Sequence, residues 1–256
     1  MKRLGVFLIG VLLCACSQAQ VTQYKYKVVK DYPHDMAAYT QGLFFHNGTL
    51  YETTGQYGTS SIRTVDVNTG KPIQNKKLNS KYFAEGSVVL GNNLYILTWT
   101  NKVAFVYDAK TLEYKKTVGY PREGWGLTTD GKQLIASDGS NNLYFLDESL
   151  KVVRKLPVTM NGRPLKNLNE LEWIKGKIWA NVYLTDTIVI IDPKTGKVEG
   201  TIDCTGLLPD ELWTSATDVL NGIAVDAAGK IYVTGKNWPK LYQIELIKQS
   251  ISLRKP

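Results

Sequence analysis

The chain has 256 residues, a net charge of +8, three cysteines and two histidines. With 43% hydrophobic residues, a chain of this length can bury a large core without help from disulfides. Its basic residues form no run and do not alternate with aromatic ones, so nucleic acid is not an expected partner.

The N-terminus has the pattern of an export signal. A basic start precedes an apolar run, residues 4–15, which is too short to span a bilayer comfortably, and "LCAC" ends at Cys16. The pattern predicts a bacterial lipoprotein signal over residues 1–16, with the lipid on Cys16. An ordinary secretory signal cleaved a few residues later is the alternative. We expect residues 17–256 to be a monomeric domain at the periplasmic face of the outer membrane, since Ser17 carries no acidic retention signal.

Five similar segments follow, each with a strand, a tight turn and a second strand. They are "TQGLFFHNGTLYETTG", "AEGSVVLGNNLYILTW", "GWGLTTDGKQLIASDG", "NELEWIKGKIWANVY" and "LNGIAVDAAGKIYVTGK". A third strand then ends in Asp four times, at Asp66, Asp108, Asp147 and Asp192. Because an Asp that opens a turn accepts a hydrogen bond from the backbone two residues on, we assign these four aspartates no function.

The strand count predicts the fold. Fourth strands occur at "KKLNS", "KKTVGY", "RKLPV" and "GTIDC", whereas the fifth repeat ends after its third strand, "KLYQIELIK". Residues 24–34 precede the first repeat and are predicted to supply the missing strand, which would close a ring of sheets. Five four-stranded blades of about 45 residues each indicate an all-β, five-bladed β-propeller whose last blade is closed by the N-terminal strand. A β-sandwich is the alternative, but it would not explain a fivefold repeat.

The repeats also predict which side chains converge. The entries of the first strands are Gln41, Glu85, Trp125, Asn169 and Asn221, and the exits of the second strands are Gly55, Trp99, Gly139, Tyr183 and Lys236. Entry and exit lie at the same end of an antiparallel pair, so these ten positions should surround one mouth of the central channel. Their identities differ from repeat to repeat, as expected for a site, and Glu85 is the one carboxylate among them.

Convergent polar groups between aromatic walls predict a ligand site. Single residues have structural alternatives: Lys236 could simply neutralise Glu85, and Asn221 could only form a turn. Glu170 and Glu172 lie at the same mouth, and either could help to bind a substrate or could equally satisfy backbone amides or a bound ion. Glu170 is included among the candidate substrate-binding residues.

The sequence gives little support for a metal centre. No Cys or His pair has the spacing of metal ligands. Neither His34 nor His46 falls near the ten positions, so a Ser–His–Asp set is not expected there either. No catalytic cofactor is therefore expected, although a structural cation in the channel is left open. One carboxylate with carboxamide and ammonium donors suits proton transfer and stabilisation of a developing oxyanion.

Seven motifs carry a family resemblance, in the order "YTQGL", "FAEG", "LTW", "EGWGLT", "NELEWIKGKIWANV", "LNGIA" and "GKNWPKLY". Together they resemble the glutamine cyclotransferases of the plant and bacterial type, over residues 24–246. The resemblance implies a five-bladed propeller that converts the N-terminal glutamine of peptides or proteins to pyroglutamate and releases ammonia, without a catalytic metal.

The resemblance also implies the roles of individual residues. The catalytic carboxylate falls on Glu85 and its carboxamide and ammonium partners on Gln41, Asn169 and Lys236. The aromatic walls fall on Tyr39, Phe83, Trp99, Trp125 and Tyr183, of which Tyr39 and Phe83 come from the resemblance alone. Three positions depart from the usual pattern: Tyr39 stands for Phe, Tyr183 for Trp and Ala84 for Gly. The two tyrosines keep an aromatic wall and add a hydroxyl, which bears on substrate preference more than on activity.

Two other classes of function remain as alternatives. A binding propeller would hold a peptide or a sugar at the same mouth without releasing ammonia. A metal-dependent lactonase would use Glu, Asn and Asp around a divalent ion, but none of the ten positions is Asp.

Overall fold

The computed structural model of the protein describes residues 20–249, so the expected signal over residues 1–16 and its Cys16 lie outside the described residues. Between residues 20 and 249 the regular elements are 22 β-strands and one short 3-10 helix, Asp210–Leu212. No helix in this range is long and apolar enough to cross a membrane. The expectation of an all-β protein is confirmed.

The strands follow one another along the chain as a single series. They are β1 (Thr22–Pro33), β2 (Thr40–His46), β3 (Thr49–Thr54), β4 (Ser61–Asp66), β5 (Lys71–Lys77), β6 (Ala84–Leu90), β7 (Asn93–Thr98), β8 (Val103–Asp108), β9 (Tyr114–Gly119), β10 (Leu127–Thr129), β11 (Leu134–Ser137), β12 (Asn142–Leu146), β13 (Val152–Pro157), β14 (Thr159–Met160), β15 (Arg163–Pro164), β16 (Leu168–Ile174), β17 (Lys177–Val182), β18 (Thr187–Ile191), β19 (Val198–Asp203), β20 (Leu220–Val225), β21 (Ile231–Gly235) and β22 (Lys240–Lys248).

Neighbouring strands of the series pair into sheets. Strands β2–β5, β6–β9 and β10–β13 each form a four-stranded sheet, and β14 and β15 form a small hairpin. The remaining strands form an eight-stranded sheet in the order β16-β17-β18-β19-β1-β22-β21-β20. In this sheet β1 is antiparallel to β22 and parallel to β19, so the predicted pairing of the N-terminal strand with the C-terminal one is confirmed.

Local sequence explains the turns. The loop between β2 and β3 is Asn47-Gly48, with φ angles of 49° and 78°, and positive φ at both positions is the type I′ geometry that Asn-Gly favours in hairpins. The predicted turn role of the four aspartates is also confirmed. Asp66 Oδ1, for example, accepts a hydrogen bond from the backbone N–H of Asn68 at 2.9 Å, and Asp192 Oδ1 accepts one from Lys194 at 3.0 Å.

Burial decreases from the first strand of each four-stranded group to the fourth. All seven residues of β6 are buried, because both of its faces are covered, whereas every residue of β5 is exposed. The sequence of β5, "KPIQNKK", carries three lysines and a proline, which discourage pairing of this outer edge with another chain.

The hydrophobic core consists of five clusters that lie between successive groups of strands. One cluster joins β2–β5 to β6–β9, the next three follow in chain order, and the fifth packs β20–β22 and β1 against β2–β5. Accordingly β2, β6, β10, β16 and β20 each contact the next, and β20 contacts β2. The first strands of the groups therefore surround a common axis.

Candidate active site

A cavity of about 190 Å³ opens at one end of this axis. It is lined by Tyr39, Gln41, Phe83, Glu85, Trp99, Trp125, Asn169, Tyr183 and Lys236. These are the nine residues to which the family resemblance assigns a catalytic carboxylate, its polar partners and aromatic walls. Backbone hydrogen bonds join their segments at the strand ends: Gly55 N–H donates to the Tyr39 carbonyl, and Trp99 N–H to the Phe83 carbonyl.

Irregular strand pairing aims the polar side chains into the cavity. The register of the first strands shifts between Thr40 and Gly42, Ala84 and Ser87, Leu168 and Leu171, and Leu220 and Ile223. Gln41, Glu85, Asn169 and Asn221 each lie within one of these shifts. A β-bulge leaves a residue unpaired and re-aims its side chain, and three of these four residues, Gln41, Glu85 and Asn169, line the cavity.

Glu85 is the buried acid of the site. Its side chain is only 5% exposed, and Gln41 Nε2 donates a hydrogen bond to its Oε1 at 3.3 Å. Burial raises the pKa of Glu85 well above the ordinary value, Lys236 acts against this rise, and the charge of Glu123 adds to it. A carboxyl group with a raised pKa can accept a proton in one step of a reaction and return it in the next.

Asn221 does not line the cavity but orients Gln41. Its Nδ2 donates to the Thr40 carbonyl at 2.8 Å and to Gln41 Oε1 at 3.4 Å. With its oxygen held in this way, Gln41 presents its amide nitrogen to Glu85. Asn221 is therefore more than a turn former, since it sets which end of the Gln41 carboxamide faces the acid.

The ammonium group of Lys236 lies between two tyrosine rings of the cavity wall. Its Nζ is 4.7 Å from the centroid of the Tyr39 ring and 5.2 Å from that of Tyr183, distances at which a cation is attracted to a ring face. Burial lowers the pKa of Lys236, whereas the charges of Glu85 and Asp218 raise it. Among residues 20–249, no carboxylate lies within ion-pair distance of the ammonium group, so its donors remain directed at the cavity.

The aromatic walls form a chain of edge-to-face contacts. Phe83 lies 6.1 Å from Tyr39 and 5.6 Å from Trp99, and Trp125 lies 5.5 Å from Tyr183, between ring centroids. Such contacts favour particular ring orientations, by about 0.5–1.5 kcal/mol a pair. The walls therefore form a preformed slot for a small ligand.

The two glycines among the predicted mouth positions make room for these walls. A Cβ atom on Gly55 would lie 2.3 Å from the Phe83 ring, and one on Gly139 would lie 2.6 Å from the Trp125 ring. Gly139 also has a φ of +75°, which side chains disfavour. Glycine at these two positions therefore leaves the space that the Phe83 and Trp125 rings occupy.

Glu170, a predicted substrate-binding residue, does not line the cavity. Its Oε1 accepts a hydrogen bond from the backbone N–H of Leu43 at 3.3 Å, and its Oε2 accepts one from Ile223 at 2.9 Å. The carboxyl group thus joins β16 to β2 and β20 across the axis. The sequence left open substrate binding, satisfaction of backbone amides and binding of an ion, and satisfaction of backbone amides is the role that this geometry fits.

Two residues that the sequence did not single out contact the cavity walls. Asp218 Oδ2 accepts a hydrogen bond from the Tyr39 hydroxyl at 2.9 Å, and its backbone N–H donates to the Lys236 carbonyl at 3.0 Å. Burial and the bond to Asp218 raise the pKa of Tyr39. Glu123 accepts hydrogen bonds from both tryptophan indoles of the wall. Glu123 lies inside the motif "EGWGLT", which was a usable signal, whereas nothing in the sequence around Asp218 marks it.

The two histidines lie away from the cavity. His34 is buried and bonds through Nε2 to Glu52, which also binds Arg63, and His46 borders a separate surface groove. Between residues 20 and 249, no three His, Cys, Asp or Glu side chains are grouped closely enough to hold a metal ion.

Comparison with known proteins agrees with this geometry. The sequence profile of the glutamine cyclotransferase family matches residues 6–246. The chain belongs to this family. It is 45% identical over 230 residues to the glutaminyl-peptide cyclotransferase of Arabidopsis thaliana, an alignment that covers 88% of this chain and 72% of the relative. The crystal structure of the glutaminyl cyclase of Myxococcus xanthus superposes with a TM-score of 0.84 at 34% identity, over 90% of this chain and 100% of the other.

Proposed function

We propose that the chain is a glutaminyl-peptide cyclotransferase, an enzyme that converts the N-terminal glutamine of peptides or proteins to pyroglutamate and releases ammonia. The observation that carries the proposal is the cavity itself, which combines one buried carboxyl group, two carboxamides and one buried ammonium group between aromatic walls. Family membership supports the same reaction.

In the proposed reaction, the free α-amine of the substrate attacks the γ-carboxamide carbon of the same glutamine. A C–N bond forms, the bond to the amide nitrogen breaks, and Glu85 takes the proton from the amine and passes it to the departing ammonia. The raised pKa of Glu85 fits this double role, because the group must both accept and give up a proton. A well-placed acid/base group contributes about 10²–10⁴-fold to the rate.

The other polar groups are proposed to bind the γ-carbonyl oxygen. Lys236, Asn169 and Gln41 are donors that line the cavity, and one donor to an oxyanion contributes about 10²–10³-fold. Tyr39, Phe83, Trp99, Trp125 and Tyr183 are proposed to hold the side chain folded back on its amine, so that ring closure needs little further ordering. No cofactor or metal is required by this scheme, and a structural cation remains compatible with it.

The architecture that we propose for residues 20–249 is a five-bladed β-propeller, within the domain that the sequence predicts over residues 17–256. The five core clusters between successive groups of strands support it, as does the contact of the last group with the first. The eight-stranded sheet is then two blades that touch through β1 and β19, and β1 is the fourth strand of the last blade.

We further propose that the protein is a monomeric lipoprotein, attached through lipid on Cys16 to the periplasmic face of the outer membrane. The support is the basic start, the short apolar run and the "LCAC" motif of the sequence. Growth in labelled palmitate followed by isolation of the protein tests this, and replacement of Cys16 should abolish incorporation of the label.

The test of the reaction is to incubate the purified protein with a peptide that begins with glutamine and to follow ammonia and peptide mass. The matched control is the same peptide with an acetylated N-terminus, which lacks the attacking amine. Ammonia from the free peptide alone, unchanged by a chelator, supports the proposal. Binding of the peptide without ammonia would instead indicate a binding propeller, and loss of activity with the chelator would indicate a metal enzyme.

A further inference from the structure

A carboxylate outside the cavity holds two of its walls. Trp99 follows β7, and Trp125 precedes β10 in the neighbouring sheet. Both indole N–H groups donate to the same atom, Oε2 of Glu123, at 3.1 and 3.2 Å respectively. An oxygen with two lone pairs can accept both bonds, so this one atom fixes two rings from two sheets at once.

The backbone around Glu123 is held tightly, although the side chain itself is exposed. The N–H of Gly124 lies within hydrogen-bond distance of the carbonyl oxygens of Thr98 and Trp99, at 3.0 and 3.2 Å. A Cβ atom on Gly124 would come within 2.5 Å of Leu97 Cβ, so the chain is pressed against the end of β7. The carboxylate is thus positioned by its backbone, which is anchored on the sheet that carries Trp99.

The two indoles need such an anchor because burial does not hold them. Trp99 is 38% exposed and Trp125 is only partly buried, whereas the core side chains of the same sheets are almost inaccessible. A partly exposed indole whose N–H makes no hydrogen bond can rotate about its side-chain torsions. The χ2 torsion of tryptophan, which turns the ring, has broad energy minima. Rotation of either ring would change the shape of the slot.

We propose that Glu123 is a positioning residue that holds Trp99 and Trp125 in the orientation in which they bind the folded glutaminyl side chain. The inference rests on the proposed function, since it assigns to the two indoles the task of clamping the substrate. Glu123 does not line the cavity and acts through the rings.

Three variants separate the hydrogen bonds from the charge and from general effects. Glu123→Gln keeps a carbonyl oxygen as acceptor and removes the charge, whereas Glu123→Ala removes both. Glu113→Ala is the matched control, an exposed glutamate in the turn before β9. The unfolding midpoint in urea is measured for each variant; both sites are exposed, so all three substitutions are expected to leave the fold intact.

In the ammonia assay, kcat/KM of Glu123→Ala should fall about tenfold or more, mainly through KM, because misoriented walls bind the folded side chain less often. Glu123→Gln should stay within about threefold of the wild type, since a carbonyl oxygen has two lone pairs for the two indoles. Equal kcat/KM values for Glu123→Ala and for the control variant Glu113→Ala would overturn the proposal. Equal losses in Ala and Gln variants would also overturn it, because the charge and not the hydrogen bonds would then be the cause.

A second measurement does not depend on turnover. Iodide quenching of tryptophan fluorescence should increase in Glu123→Ala and remain near the wild-type level in Glu123→Gln, since only the former releases the rings. Unchanged iodide quenching in both Glu123 variants would contradict the proposal that Glu123 holds the two indoles. If the wild type releases no ammonia, the proposed function fails, and the quenching result still decides whether Glu123 holds the two indoles.

Discussion

Replacement of Glu85 by glutamine is the sharpest test of the proposed chemistry. The change is isosteric and leaves an oxygen that can accept the hydrogen bond from Gln41 Nε2, now at 3.3 Å. It removes the ability to take up and return a proton, together with the negative charge that faces Lys236. Because Glu85 is 5% exposed and burial opposes its charge, a neutral amide that keeps the bond to Gln41 should change the free energy of unfolding by less than about 1 kcal/mol.

The expected loss in kcat is about 10²–10⁴-fold, the usual contribution of a general acid/base group. This corresponds to about 3–5 kcal/mol in the activation barrier. In the wild type, kcat/KM should rise with pH as Glu85 ionises, and this rise should lie above the ordinary glutamate pKa of 4.5, because the pKa of Glu85 is raised. The residual activity of the variant should lack that rise and keep only the one that comes from deprotonation of the substrate's α-amine, whose ordinary pKa is about 7.7–8.0.

Glu172→Gln provides a matched control for this experiment. Glu172 is also a buried carboxyl with a raised pKa, but it accepts bonds from the Val225 N–H and the Thr128 hydroxyl and does not line the cavity. Its variant should keep the wild-type rate of ammonia release. A Glu85→Gln protein that turned over at the wild-type rate would refute the role of Glu85, and equal losses in both variants would point to a general effect of buried acids on the fold.

Three further predictions follow from other parts of the structure. Gly139→Ala should lower kcat/KM about 10- to 100-fold in steady-state assays, because the added Cβ would lie 2.6 Å from the Trp125 ring and displace it. The control is Gly131→Ala, at an open turn with a similar positive φ. Burial raises the pKa of Glu172 to about 8, so its contribution to stability is fully present below pH 4.5 and is lost as the pH rises through 8. Urea unfolding should therefore show a loss of at most about 5 kcal/mol over this range that is absent in Glu172→Gln. Glu52→Gln should lower the free energy of unfolding by about 3 kcal/mol, because the buried charge of Arg63, paired to Glu52 at 2.7 Å, would lose one partner. An unchanged urea-unfolding midpoint would contradict this.

The sequence alone determined the features that depend on a few neighbouring residues. The Asn47-Gly48 turn and the Asp turns are encoded within four residues, and the repeat of strand and turn signals revealed the equivalent mouth positions. Strand pairing has a fixed geometry, so an alignment of repeats was enough to bring Glu85, Asn169 and Lys236 to one end of the axis. Tyr39 and Phe83 came from family motifs, because they precede their strands.

Only the tertiary structure decided which groups meet across the axis. Tyr39 binds Asp218, 179 residues away, and Glu170 binds the backbone of Leu43, 127 residues away, so neither partner is visible from local pattern. The β-bulge at Glu85 likewise depends on the register of two strands and not on one residue's preference. Periodicity and turn propensity act within a strand or a turn, whereas the environment of a buried polar group is set by packing between sheets. For this reason the sequence located the site, and the fold determined how each of its side chains is held.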